Sequence, residues 1–279
     1  MKSFFINKTH QKINAIKKCY FIFLFFLCIS SSFAQNKYSL ISTINIEADF
    51  FTSDNQSNIY VIKGDELIKF DKNGKLLYKY SNKNFGNIDF VDASNMLRLL
   101  VFYRKFSQII FLDNTLSING EPLALDKINY QQTQLVCSSF NNGIWLYNQQ
   151  NMEILRMNQS NEITQESGNL SNLINIDLLP NYLMEYNNRI YLNNPSSGIL
   201  IFDIYGTYYK TFFEKNIKHF QAIGDMIYYI SDKKVLSYNL KTTETLQFET
   251  PEIEFQNFRL EMDVLILQGS KSISIYRIQ

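Results

Sequence analysis

The 279-residue sequence is short of the residues on which much protein chemistry depends. It has only 3 Cys, 2 His, 4 Pro and 10 Gly. Zinc sites and Ser/His/Asp triads lean on His. Two His, one of them in the first ten residues, leave little for either. HExxH, CxxC, an EF-hand loop and a phosphate-cradling Gly-rich loop are all absent from the sequence. Low Gly and Pro exclude a collagen-like chain, and 46% hydrophobic residues exclude a disordered one. The 27 basic residues are balanced by 26 acidic ones, for a net charge of +1, so no basic field marks a nucleic-acid partner.

Long apolar runs are scarce as well, and the one that stands out is near the start. Lys2, Lys8, Lys12, Lys17 and Lys18 precede an apolar run from Cys19 to Ile29, followed by Ser30-Ser31-Ser32-Phe33-Ala34. A basic region, a short apolar region and small residues at the −3 and −1 positions describe a cleaved secretory signal peptide over residues 1–34. The run is roughly half the 20 or so apolar residues that a spanning helix needs. Cys28 follows Leu27, which does not suit lipid attachment. The expected location is therefore exported: periplasmic, outer-membrane-associated or extracellular, with no transmembrane segment after cleavage. Loss of the five Lys takes the basic count from 27 to 22 against 26 acidic residues, a net charge of −4. Cys137 is then the one remaining Cys, and its setting in Leu135-Val136-Cys137 reads as a buried structural thiol. With no intramolecular disulfide possible, residues 35–279 must be held by a core. A chain of that length can bury roughly 70–75% of its unfolded surface.

What fills this core is a series of short Ile, Val, Tyr, Phe and Leu runs separated by Asn, Asp, Gly, Ser and Lys clusters. These are strand and turn signals. Asn is abundant and sits largely in the turns, where its tolerance of the left-handed conformation is useful. The runs repeat. One landmark recurs as Ile59-Tyr60-Val61, Leu100-Val101-Phe102, Ile144-Trp145-Leu146, Ile190-Tyr191-Leu192, Ile227-Tyr228-Tyr229 and Val264-Leu265-Ile266, in steps of 41, 44, 46, 37 and 37 residues. A second landmark follows each: Phe70-Asp71, Leu112-Asp113, Met157-Asn158, Phe202-Asp203, Tyr238-Asn239 and Tyr276-Arg277. The interval from the centre of the first to the polar residue of the second is 11, 12, 13, 12, 11 and 12 residues. Polar pairs such as Ser57-Asn58, Asn142-Gly143, Asn187-Asn188, Gly224-Asp225 and Met262-Asp263 precede the first landmark and would close hairpins.

Units of about 40 residues with four strands each are propeller blades. The expected fold is all-β: a single six-bladed β-propeller domain over residues 35–279, with four-stranded antiparallel blades. The last unit, from about Glu254 to Gln279, has room for only three strands. The strand-like stretch Tyr38 to Ile46 is expected to supply the fourth and close the ring.

Asn58-Ile59-Tyr60-Val61 leading to Lys69-Phe70-Asp71-Lys72-Asn73-Gly74-Lys75 resembles a blade of six-bladed propellers of the NHL and YVTN type. Ile199-Leu200-Ile201-Phe202-Asp203-Ile204-Tyr205-Gly206 is similar. The resemblance implies the fold and leaves the function open, because many functions share that fold.

No catalytic residue, metal ligand or cofactor is assigned from the sequence. His219, between Lys218 and Phe220, reads as a loop or rim residue at the start of blade five. Six-bladed lactonases resemble the architecture and hold a divalent cation near the axis. Their counterpart here would draw on Asp49, Asp89, Asp177 and Asp225, with Asp89 and Asp177 in inner-strand stretches and Asp225 in a hairpin on the opposite face. The rim that carries the loops between second and third strands and the blade connections holds Phe85, Arg104 and Phe106, residue types that dominate interface hot spots. These three are the binding candidates. The expected role is a non-catalytic interaction or scaffold module of the cell envelope, with an envelope protein as partner. A carbohydrate- or peptide-binding propeller is the first alternative, and a divalent-cation-dependent lactonase-like hydrolase the second.

Overall fold

A computed structural model describes residues 37–279 of the chain. The signal peptide read in residues 1–34 lies outside the described residues. From Tyr38 onward the strands form six four-stranded antiparallel sheets, each built from consecutive strands except the last. With strands a to d named from the axis outward, the inner a strands are Phe50–Ser53, Phe90–Asp92, Thr133–Ser138, Tyr182–Tyr186, Phe220–Ile223 and Asn257–Glu261. The b strands are Ile59–Lys63, Leu99–Tyr103, Ile144–Asn148, Arg189–Asn194, Met226–Ser231 and Val264–Gln268. Each carries the first sequence landmark. The chain is a six-bladed β-propeller.

The b strands read as unbroken apolar runs because both of their faces are covered. Side chains alternate across a strand. Tyr60 and Ile62 of blade one pack with Val91, Leu99 and Val101 of blade two. Ile59 and Val61, on the opposite face, pack with Val264, Ile266 and Ile273 of blade six. The same division repeats around the ring, so the core is six wedges, one between each pair of neighbouring blades. Burying a Leu, Ile, Val or Phe side chain stabilises by roughly 1.5–3 kcal/mol, and each wedge contains several. Cys137 lies in the wedge between blades three and four as a fully buried free thiol.

The second landmark also has a physical cause. Its polar residue closes the turn between strands c and d by accepting backbone N–H groups on its own side chain. Asp71 Oδ1 accepts from Asn73 and Lys75 at 2.9 and 2.8 Å, and Asp203 Oδ1 accepts from Tyr205 and Thr207, both at 2.9 Å. Asp113 and Asn158 repeat this spacing, and Asn239 accepts from Lys241 and Thr242. Arg277 breaks the pattern because blade six has no c–d turn to close. Asn serves many of the other turns: among the described residues, eight of the sixteen non-glycine residues with positive φ are Asn, including Asn187 and Asn188 in the a–b hairpin of blade four.

The fourth strand of blade six is Tyr38–Ile44, paired antiparallel with Ile273–Ile278 from Tyr38↔Ile278 to Ile44↔Ile273. The c–d turn of blade one rests against this borrowed strand. Gly74 there has φ +78°, and a Cβ at this position would come within 2.6 Å of Ser42 Oγ. Few elements depart from the strand pattern. One short α-helix, Leu170–Ile174, sits in the connection between blades three and four, and 3₁₀ turns cover Lys83–Phe85, Arg104–Phe106 and Asp126–Ile128. Among the described residues no helix is long and apolar enough to cross a membrane.

Three substitutions check this account. Asp203→Ala should lower the unfolding free energy by about 1–2 kcal/mol while Asp203→Asn costs under about 0.5 kcal/mol, because only Ala removes the acceptor. Gly74→Ala should destabilise by roughly 1–2 kcal/mol through the left-handed backbone and the Ser42 contact together. Urea denaturation of the three variants reads the outcome; equal stability of Asp203→Ala and the parent would remove the turn argument.

Candidate functional site

The a strands all begin on one face of the ring, the face that also carries the b–c turns and the blade connections. Phe50, Phe90, Tyr182 and Phe220 are each the first residue of an a strand. Ring centroids lie 5.9 Å apart for Phe50–Phe90, 5.7 Å for Phe90–Tyr182 and 5.3 Å for Tyr182–Phe220, and His219 reaches Phe50 at 6.3 Å. Phe90 and Tyr182 belong to blades two and four, and His219 and Phe50 to blades five and one. Contacts that skip a blade must cross the axis, so these side chains form an aromatic collar over the central channel.

Blades three and six contribute no aromatic ring to the collar. Gln134 lines one concavity on this face and Gln256 another. Beside Gln134 is a small cavity of about 50 Å³ that Asp89, Phe90, Arg104 and Tyr182 also line. Beside Gln256 is a groove of about 730 Å³ across blades five and six, with His219, Lys218, Lys233, Asp232, Glu214 and Phe255 among its walls. It adjoins a second basin of about 440 Å³, bounded by Ile253, Glu254 and Gly269, through the shared Lys233, Phe255 and Gln256.

Below the collar the inner strands are polar, and their side chains tie blade to blade. Gln221 exchanges two hydrogen bonds with the backbone of Leu260, both at 2.8 Å. Ser53 Oγ donates to Glu261 at 2.7 Å, Ser138 N–H to Asp92 at 2.7 Å, and Arg259 to Thr52 Oγ1 at 3.1 Å. Glu185 accepts from Ser139 Oγ and from Trp145 Nε1 at 2.6 and 2.7 Å. Burial raises the Glu261 carboxyl above its ordinary range, with Arg259 opposing the shift.

The residues singled out in sequence fall into three groups. Phe85 and Phe106 come together, with centroids 6.1 Å apart, and Phe85 also packs on Tyr103 at 5.3 Å. Phe85 is thus partly committed to the wedge between blades one and two, whereas Phe106 is 48% exposed. Arg104 starts the same turn; its backbone N–H donates to Asp89 Oδ2 at 2.8 Å. That bond gives Asp89 a structural task, which Asp49 repeats by accepting the Gly64 N–H at 2.7 Å. Asp225 lies in the a–b hairpin of blade five, on the opposite face as expected. It pairs with Lys241 at 2.6 Å and Arg189 at 3.5 Å, and these cations, Lys241 first, lower its pKa. One placement needs correction. Asp89 stands at the mouth of its inner strand, its N–H donating to Phe102 O at 3.0 Å, whereas Asp177 lies five residues before Tyr182, in the blade connection. The Ile-Asp-Leu run that suggested a strand is irregular backbone following the short helix, where Asp177 O accepts from Asn194. Among the described residues no three His, Cys, Asp or Glu side chains form a group that could hold a metal ion.

His219 lies in the loop that enters blade five, as read from the sequence, and its ring meets Phe50 at the axial end of the groove. Burial, then Lys218 and Arg259, push its pKa below the ordinary imidazole value. The aromatic collar and the groove were missed in sequence. The signal was an aromatic residue opening four of the six a strands, visible only once strand starts are known.

No family model matches the chain, and no curated protein matches it in sequence. Solved structures do match. The WD40 domain of Neurospora crassa Pan2 aligns with a TM-score of 0.63 at 10% identity, covering 86% of this chain and 95% of that one. Virginiamycin B lyase from Staphylococcus aureus aligns at 0.60 and 10% identity, covering 87% of this chain and all of the other. A gluconolactonase from Xanthomonas campestris aligns at 0.60 and 11% identity, covering 87% and 89%. The likeness is one of fold. It joins enzymes and a WD40 domain, and at such identities it assigns this chain neither activity.

The electrostatics of His219 give a direct check. Its folded pKa is lowered, so the unfolded chain binds the proton more readily. The contribution of this group to stability is present above the unfolded value near 6.5 and is lost as pH falls. Titration by NMR should place the His219 midpoint below 6.5, and Lys218→Gln should raise it. A midpoint at or above 6.5 would contradict the cationic, desolvated setting.

Proposed function

We propose that this protein is an exported, non-catalytic β-propeller that serves as an interaction or scaffold module of the cell envelope. Its partner is another envelope protein, engaged through the face of b–c turns and blade connections. The observation that carries the reading is the character of that face. Phe106, Leu179 and Phe213 are 48%, 76% and 82% exposed there, around the two concavities that the collar leaves open. Exposed apolar side chains on a rigid, polar-rimmed surface are the usual makings of a protein interface. Export rests on the basic, apolar and small-residue pattern of residues 1–34.

The groove across blades five and six favours a second reading, a propeller that binds a peptide or carbohydrate ligand. The hydrolase reading has enzymes of the same fold in its favour. Against it, Asp49 and Asp89 are engaged in turns and Asp225 in ion pairs on the other face.

The test is capture of the tagged chain from gently solubilised envelopes, read by mass spectrometry. The expected result is one or two stoichiometric envelope proteins, a chain beginning near Gln35, and loss of the partner in Arg104→Glu with a melting temperature within about 2 °C of the parent. A bait that captures nothing, or an Arg104→Glu chain that loses partner and stability together, would overturn the reading.

A further inference from the structure

The groove beside Gln256 has more to say than that it is concave. Three lysines line it, Lys215, Lys218 and Lys233, and none makes a salt bridge among the described residues. Its walls are fixed. Asp232 and Lys233 form a tight b–c turn with φ +49° and +62°, and the Asn216 N–H donates to Pro195 O at 2.8 Å, anchoring the connection to blade four.

Cations outnumber carboxylates along the groove: Lys215, Lys218, Lys233 and, when protonated, His219 stand against Glu214 and Asp232, with Ile230 and Phe255 as apolar wall. His219 marks the axial end, where its ring meets that of Phe50 at 6.3 Å.

We infer that this groove binds an extended peptide segment carrying a carboxylate, with the carboxylate at the axial end against Lys218 and His219. This rests on the interaction reading above and names the part of the partner that enters the groove. Charge complementarity argues for the carboxylate. Continuity with the second basin, through Lys233, Phe255 and Gln256, argues for a ligand of several residues. Ile230, Ile253 and Phe255 supply apolar wall for the side chains of a peptide. The backbone of such a segment would find amide partners in Gln256 and Asn216.

The groups facing His219 are Lys218 on its own connection, Arg259 from blade six and the ring of Phe50 from blade one, with Lys215, Lys233, Glu214 and Asp232 farther along the groove. Protonation adds a cation where the carboxylate sits. Affinity should then rise as pH falls from 7.5 to 5.5, a range in which a peptide glutamate stays ionised.

The experiment is fluorescence polarisation with the purified chain and two labelled decapeptide libraries, one with a central Glu and one with Gln in its place, all other positions randomised. Binding of the Glu library should exceed that of the Gln library by about tenfold, and Lys218→Glu should abolish it at an unchanged melting temperature. Lys218→Gln, a milder change, should weaken it several-fold, and His219→Gln should remove the rise at low pH. Equal binding of both libraries, no binding, retention in Lys218→Glu, or binding of oligogalacturonate in place of peptide would each overturn the inference. An envelope partner captured equally by Lys218→Glu and the parent sinks the groove and leaves the interaction reading standing; absence of both partner and peptide sinks both.

Discussion

Pairing of Tyr38–Ile44 with Ile273–Ile278 is the contact on which the ring depends. Each blade buries its two faces against its neighbours, so no blade is complete alone, and an open ring would leave the first and last wedges exposed to water. The borrowed strand lets the two ends of the chain meet within one sheet, and Ile44 joins Phe51, Ile59 and Val264 in the wedge that seals blade six to blade one. Side-chain bonds from Ser53 to Glu261 and from Arg259 to Thr52 tie the same junction near the axis. The pairing gives blade six the same four strands as its neighbours, with Tyr38–Ile44 as its outer edge.

Closure in turn decides what the axis can do. Six inner strands brought within reach of one another place Phe50, Phe90, Tyr182 and His219 across a single mouth. Large rings meet there, and two concavities lie beside them on the same face. The carboxylates of the inner strands are used as acceptors between blades, so their negative charge supports the ring before it can serve any ligand. The larger concavity lies farther out, between blade connections, where among the described residues Lys218 and Lys233 make no salt bridge.

Much of this was legible in the chain. Strand identity, blade number and the displaced strand followed from the regular spacing of the two landmarks, because a b strand must be apolar on both faces and a c–d turn needs a side-chain acceptor. The Asp203→Ala prediction tests that second requirement directly. Placement of Asp177 failed for an equally physical reason. Ile176-Asp177-Leu178 has the alternation of a strand, yet it follows the short helix as irregular backbone held by the Asn194 side chain, and alternation over three residues cannot separate the two.

The sequence by itself determined the repeat, since burial on two faces and turn closure are local demands written at fixed intervals. It also determined the rim residues Phe85, Arg104 and Phe106, because loop position follows from strand order. Only the tertiary structure decided which side chains meet at the axis, that His219 closes on Phe50 from four blades away along the chain, and that Lys215, Lys218 and Lys233 surround one groove. The contacts at the axis join residues tens to nearly two hundred positions apart. They depend on the angle at which six wedges close, a property of the whole ring that no local pattern carries.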